Sequence, residues 1–143
     1  MTTTTHISAL DRSVERTNVW LHELAQELGS DDPQYAYRAL RAFLHTLRDR
    51  ISHVEAAQLA AQLPDLIRGI YYEGWNPSHT PATYHDPKDF FDRVAAEAAM
   101  HGDTEASLAS TAAMRVLRRH VSAGEIDDVL AVLPHEIRAA LTS

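Results

Sequence analysis

The chain has 143 residues, a formal charge of -7 and no cysteine. That length can bury a core able to stand without staples, and the missing cysteine excludes a disulfide framework, a thiol nucleophile and a Cys-ligated zinc. The charge divides into -3 over residues 1–74 and -4 over 75–143, so no basic domain or tail offers itself to phosphates and nucleic acid is not expected as a partner.

Residues 1–12 are polar and threonine-rich and are expected to be disordered. They show no basic region ahead of an apolar run, and no later stretch approaches the roughly 18 apolar residues of a membrane span. The expectation is a cytoplasmic protein without a membrane partner.

From Ser13 the apolar spacing predicts a helix to Leu28 with Thr17, Trp20, Leu21, Leu24, Ala25 and Leu28 on one face, stopped by Gly29. Asp32 caps and Pro33 opens a second helix to about Arg50, which buries Leu40, Phe43, Leu44 and Leu47 and carries Arg38, Arg41, His45 and Arg48 on one flank. Ser52-His-Val-Glu55 has the form of a capping box, opening a third helix to about residue 62. Pro64 opens a fourth, to Glu73, with Leu66, Ile67, Ile70 and Tyr71 inward; Gly74 closes it and lets Trp75 fold back.

The pattern then recurs. Leu47, Arg48, Ser52, Glu55, Ala61, Leu63, Pro64, Ile67 and Arg68 reappear seventy positions later as Leu117, Arg118, Ser122, Glu125, Ala131, Leu133, Pro134, Ile137 and Arg138. Asp86-Pro87 starts the second set: one helix on Phe90, Phe91, Val94, Ala95 and Ala98, one on Ala106, Ala109, Ala113, Met114 and Leu117, and two shorter ones opened by Ser122 and Pro134. No alternating run is long enough for a strand. The fold is expected to be all-α, eight helices in two similar four-helix repeats: repeat one over 13–74, a Pro-rich linker over 75–86 and repeat two over 87–143, sharing one core because neither is large enough alone.

Chemistry is sparse. No Gly-x-Ser-x-Gly elbow, phosphate loop, Glu-x-x-His pair or zincin motif occurs, so no catalytic residue, metal ligand or cofactor is assigned and the chain is not expected to be an enzyme. Glu97 with His101, and His79, His85, Asp86 and Asp89 near the linker, are read as surface or capping groups. Tyr72, Trp75 and Tyr84, at a helix end and in the linker, have the composition of a binding hot spot, and Arg38, Arg41 and Arg48 could meet an acidic surface.

Leu47-Arg-Asp-Arg-Ile51, the Ala-Ala-Gln-Leu-Pro run ending at Pro64, Ile67 to Pro77 with its Tyr-Tyr-Glu-Gly-Trp-Asn-Pro stretch, and Val116 to Ile126 followed by Leu133-Pro134 resemble the bacterial domain-of-unknown-function family DUF2267. The resemblance implies a small helical bacterial protein with a duplicated unit, supplies no activity, and carries a weak implication of a stress-associated role. From the residues, the expected function is a non-enzymatic module that binds a protein partner or a second copy of itself. The alternative is a small-ligand or metal-binding protein with a pocket between the repeats.

Overall fold

A computed structural model describes residues 5–143. Its helices are α1 (Ser8–Leu28), α2 (Pro33–Arg50), α3 (His53–Ala60), α4 (Asp65–Tyr72), α5 (Pro87–Ala98), α6 (Asp103–His120), α7 (Ala123–Val132) and α8 (His135–Leu141). One 3₁₀ turn, Pro77–His79, interrupts the linker, where an element was not expected; the Asn76 side chain caps it by accepting from Ser78 N at 3.1 Å. Among the described residues there is no strand.

Local chemistry sets most of the boundaries. Asp32 accepts from Gln34 N and Asp86 from Lys88 N, each at 2.9 Å, with proline at the first helical position where no amide donor is needed. Gly29 takes φ 64° and sends its amide back to the last turn of α1. The ends of α1 and α5, the starts of α2 and α6, and the ends of α2 and α6 all fall seventy residues apart.

The N-terminal expectation needs correction. Residues 8–12 are already helical, and Ile7 O accepts from Leu10 N and Asp11 N at 3.0 Å. Residues 1–4 lie outside the described residues. The extra turns were hard to see because every residue from 5 to 12 is exposed, so no burial pattern marks them.

The eight helices pack in a shared core. Helix α2 sits at its centre, against α1, α4, α5 and α6, while α3 meets α7. Trp20, Leu24, Phe43, Leu44, Leu47, Tyr71, Phe90, Met114 and Leu117 are all buried together. Full burial of side chains this large supplies about 1.5–3 kcal/mol each. Leu66 departs from its expected inward place and is exposed. Its amide donates to Ser13 Oγ at 2.9 Å, which docks the first turn of α4 on α1 and leaves the leucine outside.

Candidate functional site

The arginine flank of α2 faces the ends of two other helices. A helix C-terminus leaves carbonyls without internal donors and carries partial negative charge, so it attracts cations. Arg48 donates through one nitrogen to Tyr71 O and Glu73 O at 2.8 Å, and through Nε to Asp49 Oδ1 at 2.8 Å. His45 sets Nε2 2.7 Å from Ile70 O and Nδ1 2.8 Å from Glu97 Oε2. Arg38 Nε donates to Ala98 O, the end of α5, at 3.0 Å. Arg41 bridges Glu73 at 2.5 Å and Glu97 at 3.1 Å, and its hydrogen bond holds the Glu73 carboxyl below the usual carboxylate range.

These groups therefore serve the fold's own acceptors. His45 and Arg48 are only 5 % and 4 % exposed. The spacing of α2 shows four residues on one side but not which partner covers that side. The covering groups come from α4 and α5, far along the chain.

The aromatic residues also turn inward. Trp75 N donates to Tyr72 O at 3.0 Å after Gly74, which has φ 75°, and the Trp75 ring packs 5.4 Å from Tyr72 and 5.9 Å from His53. Tyr84 lies between Arg50 and Arg93, whose guanidinium carbons are 5.5 and 4.5 Å from its ring centre. Burial pushes its hydroxyl up to about 12 against the pull of those two arginines. Tyr72, Trp75 and Tyr84 are all partly buried against the core. The linker is held on either side of them: Ala82 N donates to Asp49 O at 2.8 Å, Arg50 Nε to Tyr84 O at 2.7 Å, and His53 Nε2 meets Thr80 O at 2.7 Å.

A different face remains open. A groove of about 650 Å³ runs between α1, the α3–α4 connection and the end of α6, lined by Arg12, Arg16, Trp20, Leu63, Pro64, Arg68 and His120 among others. Three arginines and one histidine line it against one acid, Asp65. Arg12 and Arg16 are exposed and form no ion pair among the described residues. Arg68 is partly committed, donating to Ala60 O and Leu63 O at 2.8 and 2.9 Å to close the end of α3. His120 stacks on Trp20 with centroids 4.8 Å apart and contacts Glu23 at 2.7 Å. The sequence signal for this site was Arg12-x-x-x-Arg16 at helical spacing, hidden because the helix containing Arg12 was not expected to start so early.

Two glutamates complete the inventory. Glu55 and Glu125 are buried, and Ser52 Oγ and Ser122 Oγ accept from their amides at 3.2 Å, as the capping boxes predict. Burial first, then the neighbouring Glu55 carboxyl, push the Glu125 carboxyl up to about 8.

Residues 17–140 match the family model described as "Uncharacterized conserved protein (DUF2267)". No curated protein matches the chain. No helix is long and apolar enough to cross a membrane among the described residues.

Proposed function

The chain belongs to the DUF2267 family, and from its geometry we propose that it is a non-enzymatic interaction module whose α1 groove receives an acidic segment of a partner protein. The observation that carries this reading is the pair of exposed groove arginines, Arg12 and Arg16, which form no ion pair among the described residues, on a chain whose formal charge is -7. A local patch opposite in sign to the rest of the surface selects its partner by charge and speeds the encounter. Trp20, Leu63 and Pro64 give the floor an apolar component, so the favoured segment alternates carboxylates with aliphatic side chains. The α2 arginines and the aromatic linker residues act as internal anchors that keep this body rigid.

Fluorescence anisotropy with a labelled Glu/Leu peptide, beside a Lys/Leu peptide of equal length, tests the proposal. The acidic peptide is expected to saturate and to weaken as salt rises, because exposed charges are screened. Equal behaviour of the two peptides, or no saturation up to millimolar protein, would overturn it.

A further inference from the structure

The buried glutamates carry a second assignment, independent of the groove. Glu55 and Glu125 occupy the third position of α3 and α7, two helices that pack against each other, and are 8 % and 7 % exposed. In a full capping box each would reach back to its serine amide, but that half is not made among the described residues. Ser122 N donates to Gln62 Oε1 instead, at 2.8 Å. Glu55 Oε1 and Glu125 Oε2 are left buried without a hydrogen-bond partner among the described residues. Asp128, close to one turn further along α7 and exposed, adds a third carboxylate, and one oxygen from each of the three lies within 4.8 Å of the others.

Buried carboxylates need neutralisation, by a proton, a cationic side chain or a metal. None of the three forms an ion pair among the described residues. We propose that Glu55, Glu125 and Asp128 bind an oxygen-preferring divalent cation, of the Ca²⁺, Mg²⁺ and Mn²⁺ class, between α3 and α7. An ion held at roughly 2.0–2.6 Å from each ligand needs oxygens no more than about 5 Å apart, which this spacing meets. The ligand set is all carboxylate, with no imidazole or thiolate to favour zinc or copper. Asp128 gives the ion an entry from solvent, and the two glutamates come from different halves of the chain, so the ion ties those halves together. The competing occupant is a proton shared by the two glutamates, and cation uptake displaces it.

The test is titration of the metal-stripped full chain at pH 7.5 with Mn²⁺, followed by loss of the free-ion electron paramagnetic resonance signal, with Ca²⁺ and Mg²⁺ followed by thermal melting. One Mn²⁺ per chain is expected, displaced by the other ions, with affinity rising as pH is raised from 6 to 8. Asp128→Asn, on the surface, should weaken uptake at least tenfold while its exposed neighbour Asp127→Asn leaves it unchanged, and Glu125→Gln should abolish it. If none of the three ions binds saturably to folded protein at millimolar concentration, or if Asp128→Asn binds as wild type does, the proposal is overturned. A melting temperature that depends on pH in wild type but not in Glu125→Gln, without ion binding, would assign the pair to proton sharing alone.

Discussion

Helices α2 and α6 have the same length and end seventy residues apart, yet their flanks do opposite things. On α2, Arg38, Arg41, His45 and Arg48 are turned to the ends of α4 and α5. The positions seventy further on are Leu108, Thr111, Arg115 and Arg118, and of these Leu108, Arg115 and Arg118 are exposed. The arginines of α6 that do pair reach across to α1, Arg115 to Glu27 and Arg119 to Glu23 and Glu27. The linker that follows α4 is held by Asp49, Arg50 and His53, at the end of α2 and the start of α3. An arginine repeated in sequence thus need not repeat its work, since the work depends on what its helix faces.

Removing the same residue from both flanks separates the two roles most clearly. Arg48→Ala strands the carbonyls of Tyr71 and Glu73 and should cost about 3 kcal/mol, whereas Arg118→Ala should stay within about 0.5 kcal/mol, both measured by urea denaturation. Equal losses would contradict the account.

The second effect concerns the contact between α3 and α7. The Glu125 carboxyl is raised in the folded chain from an ordinary 4.5 to about 8, with Glu55, Asp128 and the neighbouring Tyr71 facing it. A raised carboxyl pKa means that the folded state binds the proton more tightly than the unfolded state. Its contribution is therefore full below about pH 4.5 and is lost as pH rises toward 8. Metal-free protein should lose stability across that window, and Glu125→Gln should flatten the slope. Denaturation at pH 5, 6.5 and 8 reads both.

A smaller effect sharpens the comparison of the two serine caps. Ser52→Ala and Ser122→Ala should each cost about 1 kcal/mol. Ser122 should lose the more of the two, because its hydroxyl also accepts from Gln62 Nε2 at 3.0 Å, whereas the Ser52 hydroxyl makes no such bond among the described residues. Replacing Gln62 by alanine should bring the two costs together.

The features legible in the sequence were those written in neighbouring residues. Asp32-Pro33, Asp86-Pro87, Ser52, Ser122, Gly29 and Gly74 each act within one turn, and they place the helix ends to within a few residues. The apolar spacing of α2, α5 and α6 picks out Phe43, Leu44, Leu47, Phe90, Val94, Met114 and Leu117, all buried as that spacing requires. What was not legible depends on distant partners. The burial of His45 and Arg48 is decided by α4 and α5, the exposure of Leu66 by the hydrogen bond its amide donates to Ser13, and the stranded glutamate oxygens by the packing of α3 on α7. The groove of the candidate site was missed for a plainer reason, that residues 8–12 at the start of α1 are all exposed.

The most direct test of where function sits is one peptide titration against three proteins: wild type, Arg12→Glu/Arg16→Glu and Arg41→Gln. The acidic peptide is expected to lose tenfold or more in affinity for the groove variant and to keep its wild-type affinity for Arg41→Gln, whose arginine serves Glu73 and Glu97 internally. Loss of binding in Arg41→Gln with retention in Arg12→Glu/Arg16→Glu would return the docking face to the α2 flank and contradict the assignment of the α1 groove.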